Sequence, residues 1–306
     1  MPAARTEAPA AFPRELPYFA ILLAVFAWGL GPLFVAAIPA SPITISFWRL
    51  WIAAPFTMCI ARFTGSPLTW RALRASALPG VLFGISILFG FASFQKTSLA
   101  NATLIAALQP VLVLLVAGRL FGERVGRREL VLAGTSLAGI VLVVFGASGG
   151  ASSDIVGDLF AVGNLIVFTV YFLVIKHRRG QGYGAAALLS GGIFWAALFV
   201  TPVAFISGAD LGAIQGGDWV WIGLMVLVPG TIGHGIMNWA QRYVDVTISS
   251  LLTLLNPVVS SIGAWIVYDQ ALNGVQLVGA GIVLASLALI VLAHHRYGEV
   301  VAEEPL

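Results

Sequence analysis

Long apolar stretches, separated by short polar ones, recur along the whole chain. A transmembrane helix needs about 20 mostly apolar residues, and ten stretches come close to or exceed this length. They cover residues 18–38, 42–61, 75–95, 99–117, 129–146, 157–175, 185–206, 219–240, 247–267 and 275–293. The connections are short, and the longest are rich in Gly, Ser and Asp, as turns at a membrane surface are. The pattern predicts an all-α membrane protein with ten transmembrane helices.

The composition agrees with this prediction and excludes the main soluble classes. Hydrophobic residues make up 59% of the chain and charged residues 9%, whereas a soluble domain carries about 25% charged residues. A cytosolic enzyme, a secreted domain and a disordered chain are therefore excluded. The single Cys59 cannot form an intramolecular disulfide. The basic residues are not interleaved with aromatic ones in a patch, so we expect no nucleic-acid partner.

The Lys and Arg residues predict the orientation. With a cytoplasmic N-terminus, fourteen of the sixteen fall in cytoplasmic segments, Lys96 alone falls in an outer segment, and Arg49 lies within the second helix. Cytoplasmic loops carry such an excess of positive charge. We therefore expect both termini in the cytoplasm, with residues 1–17 and 297–306 as tails.

The two halves of the chain repeat each other at an offset of 147 residues. The offset places Leu108, Pro110 and Gly134 on Leu255, Pro257 and Gly281. The first repeat covers residues 18–150 and the second covers 151–296. Each repeat holds five predicted helices, an odd number, so the second must enter the membrane upside down. Inverted repeats of this kind are typical of secondary transporters.

Short motifs in both repeats carry a family resemblance. The segments Leu108-Gln109-Pro110-Val111 and Leu120-Phe121-Gly122-Glu123 resemble the paired five-helix EamA module of the drug/metabolite transporter superfamily. Leu255-Asn256-Pro257-Val258 echoes the first of these segments, and Arg49 fits an arginine often found in the second helix of such modules. The chain departs from the module at Gln270, which is paired with Glu123, so the second repeat lacks that acidic residue.

The resemblance implies a carrier that works by alternating access. Within the superfamily the chain is similar to exporters of aromatic amino acids in bacterial inner membranes. This likeness implies export of amino acids, with aromatic and other apolar ones preferred, and a multi-pass location in that membrane. A multidrug or other small-metabolite exporter is the alternative within the superfamily, and a membrane-embedded enzyme or a passive pore is the alternative outside it. The expected partners are the small-molecule substrate and the lipid bilayer, and the oligomeric state stays open.

Two ionisable side chains lie well inside the predicted helices. Arg49 either extends to the lipid head groups or helix-end carbonyls, or anchors a substrate carboxylate or an outer gate. His234 lies among Pro229, Gly230 and further glycines, which indicate a distorted eighth helix. It either faces a central cavity or bonds to a neighbouring helix.

Paired polar interruptions predict the substrate site. Gln109-Pro110 and Asn256-Pro257 lie at the middle of the fourth and ninth helices, and each proline removes a backbone hydrogen bond. Transporter sites lie where such interrupted helices meet. The alternative is that the two amides only hydrogen-bond between helices.

Aromatic and amide side chains at mid-depth complete the prediction. The predicted substrate-binding residues are Trp28, Gln109, Asn164, Phe168, Tyr171, His234, Asn238 and Asn256. The predicted gating or hinge residues are Pro32, Arg49, Pro110, Pro229, Gly230 and Pro257. The sequence has no HExxH, CxxC or nucleotide-binding motif, so we expect no catalytic residue, no metal site, no cofactor and no direct use of ATP.

Overall fold

The computed structural model describes residues 13, 15–97, 99–123, 126–147, 154–269 and 272–303. All regular secondary structure in these ranges is helical. Ten helices are long and apolar enough to cross a membrane: α1 (Leu16–Ala36), α2 (Pro42–Phe63), α3 (Ala77–Lys96), α4 (Ala102–Phe121), α5 (Arg127–Phe145), α6 (Ile155–Gly180), α7 (Ala185–Ile206), α8 (Asp218–Ala240), α9 (Val246–Val267) and α10 (Gly274–Leu292). Each coincides with one predicted stretch, so the ten-helix prediction is confirmed.

Because the number of spans is even, α1 begins and α10 ends on the same side of the membrane. We call this side the terminal side and the other the opposite side. The final helix continues on the terminal side as Gly274–Glu303, past the predicted end at residue 293. A short helix, Trp70–Ala75, lies between α2 and α3, and a 3₁₀ turn, Leu211–Ala213, lies between α7 and α8.

Local chemistry fixes several helix ends. The Ser41 hydroxyl accepts a hydrogen bond from the Thr44 amide at 3.1 Å, and Pro42 occupies the first helical position of α2. The fourth helix ends at Gly122 with φ of 71°, a left-handed conformation that glycine adopts without strain. The ninth ends in the same way at Asp269, with φ of 54°.

These matched helix ends reflect the inverted repeat. After a central break, the fourth and ninth helices resume as Gln109–Phe121 and Asn256–Tyr268, at the predicted offset of 147 residues. Packing follows the same symmetry: α5 lies against its counterpart α10, and α2 lies against α7. The contact of α3 with α6 is matched by the contact of α8 with α1. The predicted architecture of two inverted five-helix repeats is confirmed.

Small residues allow the helices to approach closely. A Cβ at Gly80 would lie 2.6 Å from the carbonyl oxygen of Gly192, where α3 crosses α7. One at Gly139 would lie 2.9 Å from the carbonyl oxygen of Gly279, where α5 crosses α10. Such contacts are typical of helices in membranes, where dispersion forces between backbones help to hold the bundle together. Large apolar side chains such as Leu115 are exposed on the outside of the bundle, where lipid covers them.

The buried apolar side chains form two clusters. One includes Ile21, Val113 and Leu251, and the other includes Ile45 and Ile193. A central cavity draws its walls from residues of both clusters.

Candidate functional site

The central cavity has a volume of about 210 Å³ and is lined by α1, α2, α3, α4, α6, α8 and α9. The lining residues lie at the middle of these helices and in the helix halves nearer the opposite side of the membrane. On α1 they run from Trp28 to Pro32, and on α3 from Phe83 to Phe94. The cavity is therefore displaced from the bundle centre toward the opposite side.

Helix breaks surround this cavity. The first helix is interrupted at Leu30, before Gly31 and Pro32. Because the Leu33 amide donates to Leu30, the carbonyl of Gly29 is released from the helix. The Ser260 hydroxyl of α9 donates to this carbonyl at 2.6 Å. The freed backbone group thus joins the first repeat to the second.

The other breaks follow from the predicted prolines. In α4 the helix restarts at Gln109, with Pro110 in its first turn, and in α9 it restarts at Asn256 after a 3₁₀ turn. In α8 the segment Val226–Gly233, which contains Pro229, adopts a π-helical turn. A proline cannot donate its helical hydrogen bond and crowds the preceding turn, so each break lies where the sequence places one.

Polar side chains at these breaks belong to the cavity lining and lack full sets of hydrogen-bond partners. Gln109 is 5% exposed, and its Nε2 has no hydrogen-bond partner in the described part of the chain. The same holds for Oδ1 of Asn256 and Nε1 of Trp28. Asn164 differs, because its Oδ1 accepts a hydrogen bond from the Ser86 hydroxyl at 2.7 Å. Each of these three lining residues therefore keeps one buried polar atom without a partner beside the cavity.

One end of the cavity is built from aromatic rings. The His234 ring lies 4.8 Å from that of Trp28 and 4.6 Å from that of Phe83, centroid to centroid. Phe168 meets Trp28 edge to face at 5.8 Å. Tyr171 stacks behind Phe83 at 5.2 Å, with its hydroxyl 3.5 Å from Nδ1 of His234. These five rings form the aromatic wall, and His234 lines the cavity as part of it.

Arg49 supplies the one charged side chain of the lining in the described part of the chain. It is 6% exposed, and its guanidinium lies 5.6 Å from the ring centroid of Phe91. It also approaches the break in α8, because a Cβ at Gly230 would lie 3.7 Å from one of its terminal nitrogens. Arg49 therefore points into the bundle and does not extend to the lipid head groups. Among the residues that the structure describes, the lining contains no Asp or Glu.

Most of the predicted site residues come together in this cavity. Those in the lining are Trp28, Pro32, Arg49, Gln109, Asn164, Phe168, Pro229, His234, Asn256 and Pro257. Four predicted residues lie outside it. Tyr171 is behind the first layer of the aromatic wall, and Pro110 and Gly230 are in the backbone of the breaks. Asn238 is buried one helical turn nearer the terminal side than His234.

The contribution of α3 to the lining was not predicted from the sequence. Phe83, Ser86, Gly90, Phe91 and Phe94 all line the cavity. Apart from the adjacent pair Gly90 and Phe91, they are spaced three or four residues apart, which places them on one helix face. The small or polar members Ser86 and Gly90 are the signal that identifies this face. Thr103, Thr253 and Ser260 were missed as well. In the described ranges no cluster of His, Cys, Asp and Glu could hold a metal ion.

Comparison with known proteins identifies relatives along the whole chain. The sequence profile of the EamA-like transporter family matches residues 16–145 and 155–292. An uncharacterized transporter of Archaeoglobus fulgidus is 25% identical over 284 residues, which are 88% of this chain and 94% of that protein. The uncharacterized transporter YyaM of Bacillus subtilis is 24% identical over 256 residues, which are 80% of this chain and 82% of that protein.

A solved crystal structure shares the fold. It superposes with a TM-score of 0.75 and covers 93% of this chain and 98% of its own, at 21% sequence identity. The two family matches coincide with the two repeats, and the break between them, residues 146–154, is the connection between α5 and α6.

Proposed function

Because the chain belongs to the EamA-like transporter family, we propose that it exports amino acids from the cytoplasm by alternating access, with aromatic and other apolar ones preferred. The observation that carries this proposal is the pairing of one buried guanidinium, that of Arg49, with a wall of aromatic rings in a single cavity. An aromatic amino acid presents the complementary groups, a carboxylate and a ring.

Arg49 suits the carboxylate. A guanidinium offers a planar fork of donors that matches a carboxylate with two parallel hydrogen bonds. A buried cation without an acidic neighbour in the lining is costly, and a bound carboxylate compensates for that cost. The aromatic end of the cavity, with Trp28, Phe83 and Phe168, suits the substrate's ring, because rings at these spacings attract one another beyond simple burial.

The amides suit the polar remainder of the substrate. Oδ1 of Asn256 is an acceptor for an ammonium group, and Nε2 of Gln109 is a donor for a carboxylate oxygen. Both come from the paired helix breaks, where the repeats meet across the pseudo-twofold axis. Sites in secondary transporters lie at such positions.

The cavity volume separates this proposal from the alternative of a multidrug exporter. Sites for drug-sized ligands enclose roughly 300–1,000 Å³, and this cavity encloses about 210 Å³. A small metabolite fits it better than a bulky drug. An anionic metabolite without an amino group also satisfies Arg49, and it is the second candidate substrate.

The distribution of positive charge supports a cytoplasmic location of both termini. The terminal side holds the Lys- and Arg-rich connections, including Arg71, Arg74, Arg127 and Arg128, and such loops are cytoplasmic. We therefore propose that both termini are cytoplasmic, in a chain that spans a bacterial inner membrane.

Counterflow in proteoliposomes tests the proposal. Vesicles loaded with unlabelled phenylalanine should accumulate labelled phenylalanine transiently. The label recovered from the vesicles should be chemically unchanged phenylalanine. Phenylpropionate, which lacks the amino group, phenylalaninamide, which lacks the carboxylate, and leucine serve as competitors. Competition by phenylalanine and leucine that exceeds competition by either analogue supports an amino-acid carrier. Competition by phenylpropionate that equals competition by phenylalanine would identify a carrier of anionic metabolites. Recovery of a chemically altered product would identify an enzyme. Loss of phenylalanine that does not saturate would identify a pore.

A further inference from the structure

Three buried polar residues, which we call the polar cluster, lie where α8 ends and α9 begins, on the terminal side of the cavity. Asn238 and Gln241 are 2% and 1% exposed, and Thr247 is also buried. Nδ2 of Asn238, both amide atoms of Gln241 and the hydroxyl of Thr247 have no hydrogen-bond partners in the part of the chain that the structure describes. Burial of unpartnered polar groups costs free energy, so three such residues within ten positions of the chain call for a physical reason.

The repeat supplies that reason. The offset of 147 residues that relates α4 to α9 also relates the preceding helices, and it places Phe91 on Asn238 and Phe94 on Gln241. Phe91 and Phe94 line the cavity where it extends toward the opposite side. Asn238 and Gln241 are therefore the inverted counterparts of cavity-lining positions. Ala240, one of the two residues between them, corresponds to Ser93, which is not part of the lining.

We propose that Asn238 and Gln241 line a second, terminal-side vestibule, which opens when the two repeats exchange conformations and offers amide groups to the polar end of the substrate. This inference rests on the alternating access of the proposed function. In an inverted repeat, each half adopts in one state the arrangement that its partner has in the other. In the state with the vestibule open, water and substrate thus form the hydrogen bonds that these amides lack in the present structure.

Hydrogen bonds between the repeats close this vestibule. Glu123, just beyond the end of α4, accepts from the amide of Val246 at 2.7 Å with Oε1 and from the amide of Thr247 at 3.0 Å with Oε2. These amides belong to the first turn of α9, where free N–H groups and the helix dipole favour a carboxylate. Glu123 therefore clamps the first repeat to the second beside the polar cluster. Its counterpart Gln270 lies outside the described residues.

Two basic side chains of α6 hold the last turn of α8 and its connection to α9. Nζ of Lys176 donates to the carbonyl of Val244 at 2.6 Å. Nε of Arg179 donates to the carbonyl of Asn238 at 2.7 Å. The backbone on both sides of Gln241 is thereby fixed, so the vestibule can open only when this connection moves away from α4 and α6.

Cysteine labelling tests the inference without using transport as its readout. Single cysteines replace Asn238, Gln241 or Ala240 in a Cys59→Ala background, and Gln181→Cys in the exposed terminal-side loop reports the side that is labelled. Ala240 is the matched control, because it is fully buried on the same helix but outside the inferred lining. With Glu123 intact, a membrane-impermeant maleimide should label Gln181→Cys and label the other three slowly.

Adding Glu123→Ala removes the clamp. Labelling of Asn238→Cys and Gln241→Cys from the terminal side should then rise about 10-fold or more, the effect of losing a charge-assisted hydrogen bond, while Ala240→Cys stays slow. Glu123→Gln keeps one acceptor oxygen and should give an intermediate rise. Monodisperse elution and unchanged labelling at Gln181 identify the folded protein.

Two results would overturn the inference. The first is equal labelling of Gln241→Cys and Ala240→Cys, with both slow, in folded Glu123→Ala and Glu123→Gln protein. The second is equally fast labelling of both, because this indicates local unfolding and not a built vestibule. Failure of amino-acid counterflow, with the expected labelling intact, would refute the proposed substrate and leave the vestibule standing.

Discussion

Replacement of Arg49 by glutamine removes the one charge of the cavity lining. Arg49 is 6% exposed, and its guanidinium lies beside the Phe91 ring in a cavity without acidic residues. Glutamine keeps a hydrogen-bond donor on a side chain of moderate length, but it removes the positive charge and the planar fork of guanidinium donors. Arg49→Lys keeps the charge and removes only the fork. The two variants therefore separate charge from geometry.

The size of the effect follows from the bond that is lost. A hydrogen bond to a charged group contributes about 1.5–3 kcal/mol, so Arg49→Gln should raise the half-saturating concentration of phenylalanine roughly 10- to 150-fold. Arg49→Lys should give a smaller rise, because an ammonium group pairs with a carboxylate without bidentate geometry. The melting temperature of ligand-free protein should stay unchanged or increase, because the substitution removes a buried charge that pays a desolvation penalty.

Counterflow over a range of phenylalanine concentrations measures this effect, and a thermal scan in detergent measures stability. Arg62→Gln is the matched control, since Arg62 is exposed near the terminal-side end of the same helix. Competition by phenylalaninamide provides an internal control. This ligand has no carboxylate, so its weaker binding should be nearly unaffected by Arg49→Gln.

Arg49 does not bind the substrate carboxylate if Arg49→Gln weakens the binding of phenylalanine and of phenylalaninamide by the same factor. The same conclusion follows from a melting temperature that falls by several degrees with unchanged half-saturation. Either result would assign Arg49 to the support of the bundle and separate it from the ligand carboxylate.

Three further predictions concern the amides, the topology and the energy source. Gln109→Leu and Asn256→Leu should each lower transport efficiency roughly 5- to 150-fold with little change in melting temperature, measured by counterflow and thermal scans; normal transport in both would move the site elsewhere. In a Cys59→Ala background, Gly212→Cys should react with an impermeant thiol reagent from outside the cell and Gln181→Cys should not; the reverse pattern would invert the proposed orientation. Uptake in proteoliposomes should proceed without an imposed proton or sodium gradient, because the cavity lining holds no carboxylate; uptake that requires such a gradient would refute this.

The sequence predicted the helices and their breaks because both depend on local chemistry. A run of about 20 apolar residues has few alternatives to a membrane-spanning helix, since every backbone polar group must be satisfied internally. Pro110 and Pro257 interrupt the helices at their own positions, since neither can donate a backbone hydrogen bond. The paired amides Gln109 and Asn256 could therefore be placed near the site from the sequence.

The lining contributed by α3 could not be predicted in the same way. Phe83, Phe91 and Phe94 are apolar, and in a membrane an apolar side chain can face lipid, another helix or a cavity. Hydropathy does not distinguish these environments, because no hydrophobic driving force separates them. The direction of Arg49 was undecided for a related reason: a long side chain at that depth can reach either the head groups or the bundle interior. Packing of α2 against α7 and the break in α8 decides between them.

The two repeats share a backbone plan but differ in the side chains at equivalent positions, and this difference bears on the direction of transport. The lining toward the opposite side has Phe91 and Phe94, whereas the inferred terminal-side vestibule has Asn238 and Gln241. The two states therefore offer different surfaces to one ligand and should bind it with different affinities. Without a coupled ion or nucleotide, linkage requires that any such difference be balanced by the equilibrium between the two empty states. The asymmetry can change the rate in each direction but not the final distribution. Net export by the proposed carrier must therefore follow the gradient of the amino acid itself, from a cytoplasm where it accumulates to an exterior where it is dilute.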